Sequence, residues 1–294
     1  MSTSSIDVAL SVVVGSNGAP DSVERFLEAV TPQIAADVEV IVCESVASAD
    51  RVRRCFPAVR FLERAGALVP ELWRDGIHEA RGEVVLLTIS PMLPAPDWIA
   101  TALRLSPEAD VVGGAIDPAP GLRLRDMAEY LCRYARDMLP FEAHDCLDLP
   151  GDNAAYRLAA LGPVRESYRD GFWEPVVHRE LHAQGGRLRH DPQLLVRQGR
   201  SAGIAAFARQ RLRHGRLYGH QRGAHFGLAR NVAGVLVAPL VPFLMTFRVM
   251  RTVLQRGRHR LHALVALPLV FYFNLVWAAA EAKGHLEVLR RERS

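Results

Sequence analysis

Asp7-Val8-Ala9-Leu10-Ser11-Val12-Val13-Val14-Gly15-Ser16-Asn17-Gly18 is an apolar, valine-rich run that stops on small and polar residues. Valine's branched Cβ suits a pleated strand, and an apolar run without polar alternation fits a strand covered on both faces. A helical pattern, Asp21–Val30, follows the turn. The same unit recurs down the chain, with strands expected at Val38–Cys43, Val59–Leu62, Glu83–Thr88 and Ala109–Ala115 and helices at Leu68–Ala80 and Asp97–Leu105. Short apolar runs alternating with amphipathic stretches predict an α/β domain with a mostly parallel, doubly covered sheet. Ligands of such sheets sit beyond the carboxyl ends of the strands. The informative segments are therefore Gly15–Pro20, Glu44–Ala49 and Ile89–Pro96.

At 294 residues the chain is long enough for one large domain and an appendage. Its 36 basic and 32 acidic side chains are unevenly shared: residues 195–294 carry 17 basic and three acidic groups. The tail is therefore +14 and the body −10. So basic a tail points to an anionic partner, nucleic acid or lipid. From Ser201 an Arg/His-rich stretch leads into two apolar runs, Val232–Phe247 and Leu261–Ala280, joined by Arg248, Arg251, Arg256, Arg258 and Arg260. Arginines flank these runs and do not interleave with exposed aromatics, which favours membrane lipids over nucleic acid. Both runs are near the lower length for crossing a bilayer and are interrupted by Pro239, Pro242 and Pro268. Three readings stay open: a spanning hairpin, helices lying in the interface, and a buried helical pair of a soluble domain. The expected division is 1–200 and 201–294. Cys43, Cys55, Cys132 and Cys146 show no short paired spacing, and the N-terminus lacks a secretory signal pattern, so a reducing, cytoplasmic setting is expected.

Several residues could carry chemistry. Gly15-Ser16-Asn17-Gly18 lets a backbone approach a phosphate, although an ordinary strand-to-helix turn explains it better and the dinucleotide fingerprint is missing. Glu44, at a strand's carboxyl end, could accept hydrogen bonds from a base or ribose, or could be a solvated acid. Gly151-Asp152-Asn153-Ala154-Ala155-Tyr156-Arg157 starts with turn formers and is read as running into a helix that Asp152 or Asn153 caps. In Gly171-Phe172-Trp173-Glu174 an acid sits beside an aromatic ring. Apolar neighbours raise a carboxylate's pKa and fit it for general-base work, while the alternative is electrostatic support of a helix N-terminus. His178, four residues on, could pair with Glu174 or bind a metal with it, but two ligands are too few for a site and packing is the expectation.

In this order the segments resemble the family-2 glycosyltransferases of GT-A fold, over roughly Ser11 to Gly219. The family's first strand, SVVIPTYN, has its counterpart in Ser11–Asn17, and its nucleobase-contacting acid in Glu44. Pro96-Asp97-Trp98 matches a "PDW" element, Gly151–Arg157 the acceptor-side GNNAAYRR, Glu174 the catalytic acid, and Gln210–His214 the QxxRW element with His214 replacing tryptophan. The resemblance implies a nucleotide-sugar donor held by Ser16, Asn17, Glu44, Ser90 and Arg213. It implies an acceptor side of Asp152, Asn153, Trp173 and Gln210, with Glu174 as base. Where the family carries a DxD-type metal motif this chain reads Ile89-Ser90-Pro91, so no metal ligand is assigned and Mn²⁺ or Mg²⁺ dependence is doubtful. Arg209, Arg211 and Arg213 are the candidates to replace the cation. The implied function is transfer of a sugar to a lipid or glycan acceptor at the cytoplasmic side of the cell membrane, with inversion. The alternative is an inactive GT-A-like binding or scaffold protein anchored to the membrane.

Overall fold

The structure is a computed structural model describing residues 8–17, 20–200, 203–224 and 227–291. These divide into two compact units: the described residues up to Ala119 with Asp137–Gly199, and Pro120–Arg136 with the described residues after Gly199.

The first unit is built on one sheet. Strands β1 (Leu10–Ser16), β2 (Val38–Glu44), β3 (Arg60–Glu63) and β4 (Val84–Ile89) pair in parallel in the order β3-β2-β1-β4. Every residue of β1 and β4 is buried, which requires cover on both faces and explains their continuous apolar sequence. Burying each such Val or Leu contributes about 1.5–3 kcal/mol. Helix α1 (Pro20–Val30) and the short α2 (Asp50–Cys55) follow β1 and β2, and α3 (Val69–Glu79) packs on β1 and β2.

Beyond β4 the expectation of a mostly parallel sheet fails, for the sheet is mixed. Strand β8 (Asn153–Arg157) inserts antiparallel between β4 and β6 (Val111–Pro118), so the segment expected to cap and enter a helix is a central strand. Local sequence misleads here because Ala154, Ala155 and Arg157 favour a helix, and burial between two strands overrides that preference. Strand β9 (Leu188–Gln198) runs parallel to β6 and pairs antiparallel with the edge strand β5 (Met92–Pro94) and with β7 (His144–Asp145). The β6–β9 register breaks between Gly114 and Ala115. Asn153 closes that break: its Nδ2 donates to Ala115 O and Leu194 O, both at 2.9 Å, and its Oδ1 accepts from Trp98 Nε1 at 2.8 Å. Trp98 opens helix α4 (Trp98–Leu105), so this one side chain ties α4, β6 and β9 together.

The second unit is helical: α5 (Leu124–Tyr134), α8 (Ile204–Ala224), α9 (Leu228–Val237), α10 (Val241–Arg256) and α11 (Arg260–Arg291). Two short helices of the first unit, α6 (Leu158–Leu161) and α7 (Glu174–Ala183), precede them. Helix α11 is the spine, packed by α5, α8, α9 and α10. The α8–α11 backbones come very close at Gly219, where a Cβ would lie 2.2 Å from Glu281 O. Arg216–Glu287 and Arg222–Glu281 ion pairs, at 2.8 and 3.2 Å, flank that contact. Gly219→Leu must part the two helices, and overpacking of this kind costs about 1–3 kcal/mol or more. A lowered thermal midpoint of the detergent-solubilised protein is the expected result. By length and composition alone, Leu228–Arg256 and Arg260–Arg290 are apolar enough to cross a membrane.

Candidate functional site

Strand pairing gathers distant residues at the carboxyl ends of β1, β2 and β4. Register places Ser16 opposite Glu44 and Gly15 opposite Ile89, and Ser90 follows at once. Ser90 Oγ accepts from Ser22 Oγ of α1 at 2.7 Å and donates to Ser16 Oγ at 3.1 Å, and all three serines are buried. Asn17 is exposed; Gly18, expected in the same turn, lies outside the described residues. Glu44 is fully buried. Its oxygens accept from Ser48 N at 3.1 Å, from Ser48 Oγ at 2.6 Å and from Arg53. This carboxylate shapes the β2–α2 loop from inside, while Val46 on the same loop is 55% exposed.

A second cluster forms around the start of β8. Thr88, on β4, donates from Oγ1 to Asp152 O at 2.9 Å, and Trp73 Nε1 donates to Thr88 O at 2.8 Å. Glu174 begins α7, and its Oε1 accepts from Gly151 N at 3.3 Å. A Cβ on residue 151 would stand 2.8 Å from Glu174 Cγ and 2.9 Å from Trp73 Cζ3, so only glycine allows this approach. Burial, with Asp152 and then Asp148 nearby, pushes the Glu174 carboxyl up to about 8. The helix N-terminus and the Gly151 N–H oppose that shift, and desolvation prevails over both. A carboxyl poised near neutrality can accept a proton from a hydroxyl.

Behind Glu174 lies a chain that sequence reading did not assemble. His178 Nδ1 meets Asp148 Oδ1 at 2.7 Å and its Nε2 meets the Tyr156 phenolic Oη at 2.9 Å. His178 is thus engaged on both nitrogens, and neither goes to Glu174. The i+4 spacing was the only sequence signal, because Tyr156 and Asp148 reach it through tertiary folding. Asp152 is buried and Trp173 half-buried beside Glu174. Asn153 is fully buried, with its amide committed to the strand break described above.

The remaining predicted residues sit in the helical unit. On α8, Arg213 and Arg209 are exposed and Gln210 is half-buried. Arg211 is buried: its Nη2 donates to Asn274 Oδ1 at 2.9 Å and its guanidinium lies 4.7 Å from the Trp277 ring centre. That packing makes it part of the helix interface.

Among the described residues no group of three or more His, Cys, Asp or Glu side chains is arranged to hold a metal ion. At the end of β4 the donor set is three serine hydroxyls bonded in a chain through Ser90, which does not fit a divalent cation that prefers carboxylates.

In its structure the chain is similar to a mannosyltransferase from Pyrobaculum calidifontis in complex with GDP-Man and Mn²⁺, with a TM-score of 0.53. The likeness covers 94% of this chain and 86% of that one at 16% identity. The chain has a glycosyltransferase fold. No family model and no curated protein sequence matches it. Within the glycosyltransferase fold, the two clusters lie where ligands of open α/β sheets bind, past the strands' carboxyl ends.

Proposed function

We propose that the chain is an inverting, family-2-type glycosyltransferase that moves a sugar from a nucleotide-sugar donor to a lipid or glycan acceptor at the cytoplasmic face of the cell membrane. The observation that carries this reading is Glu174, held against Gly151 with its carboxyl near 8 at the mouth of the strand ends. Glu174 takes the proton of an acceptor hydroxyl as that oxygen attacks the anomeric carbon. The bond to the nucleoside diphosphate breaks on the opposite face, which inverts the configuration. Asp152 and Trp173 flank the acceptor. Ser16, Asn17, Ser90 and the loop braced by Glu44 hold the donor. Asn153 acts on the acceptor side by fixing the start of the strand that Asp152 precedes.

No step in this scheme is routed through a metal, because the residues at Ser90 do not fit one. Arginine carries the diphosphate charge instead, and Arg213 is the candidate since Arg211 is engaged inside the helical unit. A guanidinium clamping phosphate oxygens contributes about 1.5–3 kcal/mol per charge-assisted bond. Calorimetry with nucleotide-sugars is therefore expected to show donor binding that persists in chelator and weakens about ten- to a hundredfold in Arg213→Ala. Binding that requires Mn²⁺ and ignores Arg213 overturns this assignment. Ser90 in place of a carboxylate also favours a second reading, a domain that binds nucleotide-sugars without turnover. Tight donor binding with neither transfer nor hydrolysis would select it.

A further inference from the structure

We infer that the helical unit lies flat in one leaflet of an anionic bilayer, with α10 and α11 parallel to the surface, and does not cross the membrane. This rests on the helices alone and is independent of the catalytic reading.

In α11 the apolar run Leu261–Ala280 is 20 residues long, about 30 Å at 1.5 Å per residue. That equals the hydrocarbon thickness, so in a crossing orientation Val270 and Asn274 would lie near mid-bilayer. The structure puts charge at that level. From α5, Cys132 Sγ reaches Val270 O at 3.8 Å, between Glu129 and Arg133, which pair at 3.8 Å. From α8, Arg211 is bonded to Asn274 itself. Ionised groups at the bilayer centre are strongly unfavourable. Within Leu228–Arg256 the uncharged run Val232–Phe247 gives about 24 Å before Arg248 and Arg251, both exposed on α10.

A lipid surface fits the same helices. The side of α11 away from α5 and α8 exposes Leu261 (70%), Leu264 (60%) and Leu275 (47%), and α10 exposes Phe243 (63%) and Phe247 (64%). On α10, Phe243, Phe247 and Leu254 share one helical stripe, with Arg248 and Arg251 on the stripe beside it. That is the arrangement of an interfacial helix, with apolar groups in the acyl boundary and guanidinium groups at the headgroups. Charge complementarity identifies the occupant: from Ser201 to Ala280 the chain has 11 arginines and no aspartate or glutamate. Phosphate-bearing headgroups match a surface of one sign.

The test uses the full-length protein added to sealed vesicles of phosphatidylcholine with and without phosphatidylglycerol. Gln255→Cys, near the α10–α11 turn, is labelled with a membrane-impermeant maleimide, with the exposed native Cys55 as the outside reference. Flat embedding predicts that residue 255 and Cys55 label equally whether or not the vesicles are permeabilised. It also predicts that Arg248→Ala with Arg251→Ala weakens binding to phosphatidylglycerol vesicles about fivefold per arginine, with neutral vesicles unaffected. Labelling of residue 255 only after permeabilisation means the hairpin crosses, and overturns the inference. So does a protein that stays in solution beside phosphatidylglycerol vesicles.

Discussion

Glu174→Gln is expected to lower sugar transfer by about 10²–10⁴-fold while donor affinity stays near wild type, since general-base catalysis contributes on that order. Glutamine keeps the size and can still accept the Gly151 N–H, so the fold around it persists. The wild-type pH profile supplies an independent readout. With the carboxyl pushed up to about 8, the base is in its working, ionised form only toward the alkaline side. Transfer at low substrate should therefore fall about tenfold per pH unit below that point, and the limb should vanish in the variant. Stability moves in the opposite sense. The folded carboxyl titrates above its ordinary value of 4.5, so folding favours the protonated form, and that contribution is complete below 4.5 and lost as pH rises through about 8. Denaturant titrations at rising pH should show Glu174→Gln gaining stability relative to wild type. A variant with near-wild-type turnover removes Glu174 from the chemistry.

The second large effect is expected at Asn153. Asn153→Ala deletes a fully buried amide and strands the Trp98 Nε1–H and the carbonyls of Ala115 and Leu194. Each buried polar group left unpaired costs about 1–3 kcal/mol, so a loss of about 3–5 kcal/mol is expected in chemical denaturation. Donor affinity and KM for the acceptor should hardly change in whatever fraction remains folded. A variant of normal stability with a raised acceptor KM would instead mean that the Asn153 side chain meets the acceptor directly.

The order of β1, α1, β2, β3, α3, β4, α4 and β6 was legible because each element carries its own period and its own apolar face. Glu174 was legible for a local reason too: an acid between Trp173 and Pro175 at a helix start is already half desolvated. The basic, apolar character of the tail likewise needs only composition.

Tertiary structure decided the rest. Asn153–Arg157 has helix-compatible residues and becomes a strand only because β4 and β6 leave a slot between them. Gln198, Leu188 and their neighbours in β9 alternate poorly, with Pro192 inside, and take strand form from pairing with β6. The Glu174 shift depends on Asp152 and Asp148, which lie 22 and 26 positions earlier and are brought near only when β8 and α7 meet. Arg211 and Arg213 look alike in sequence, and only the packing of α8 on α11 buries one and exposes the other. Periodicity and composition act within a few residues along the chain, so the sequence by itself determined the strands and helices as far as β6, and the charged tail. Strand order, carboxylate proximity and helix burial depend on contacts between residues far apart in sequence, and those the fold alone supplied.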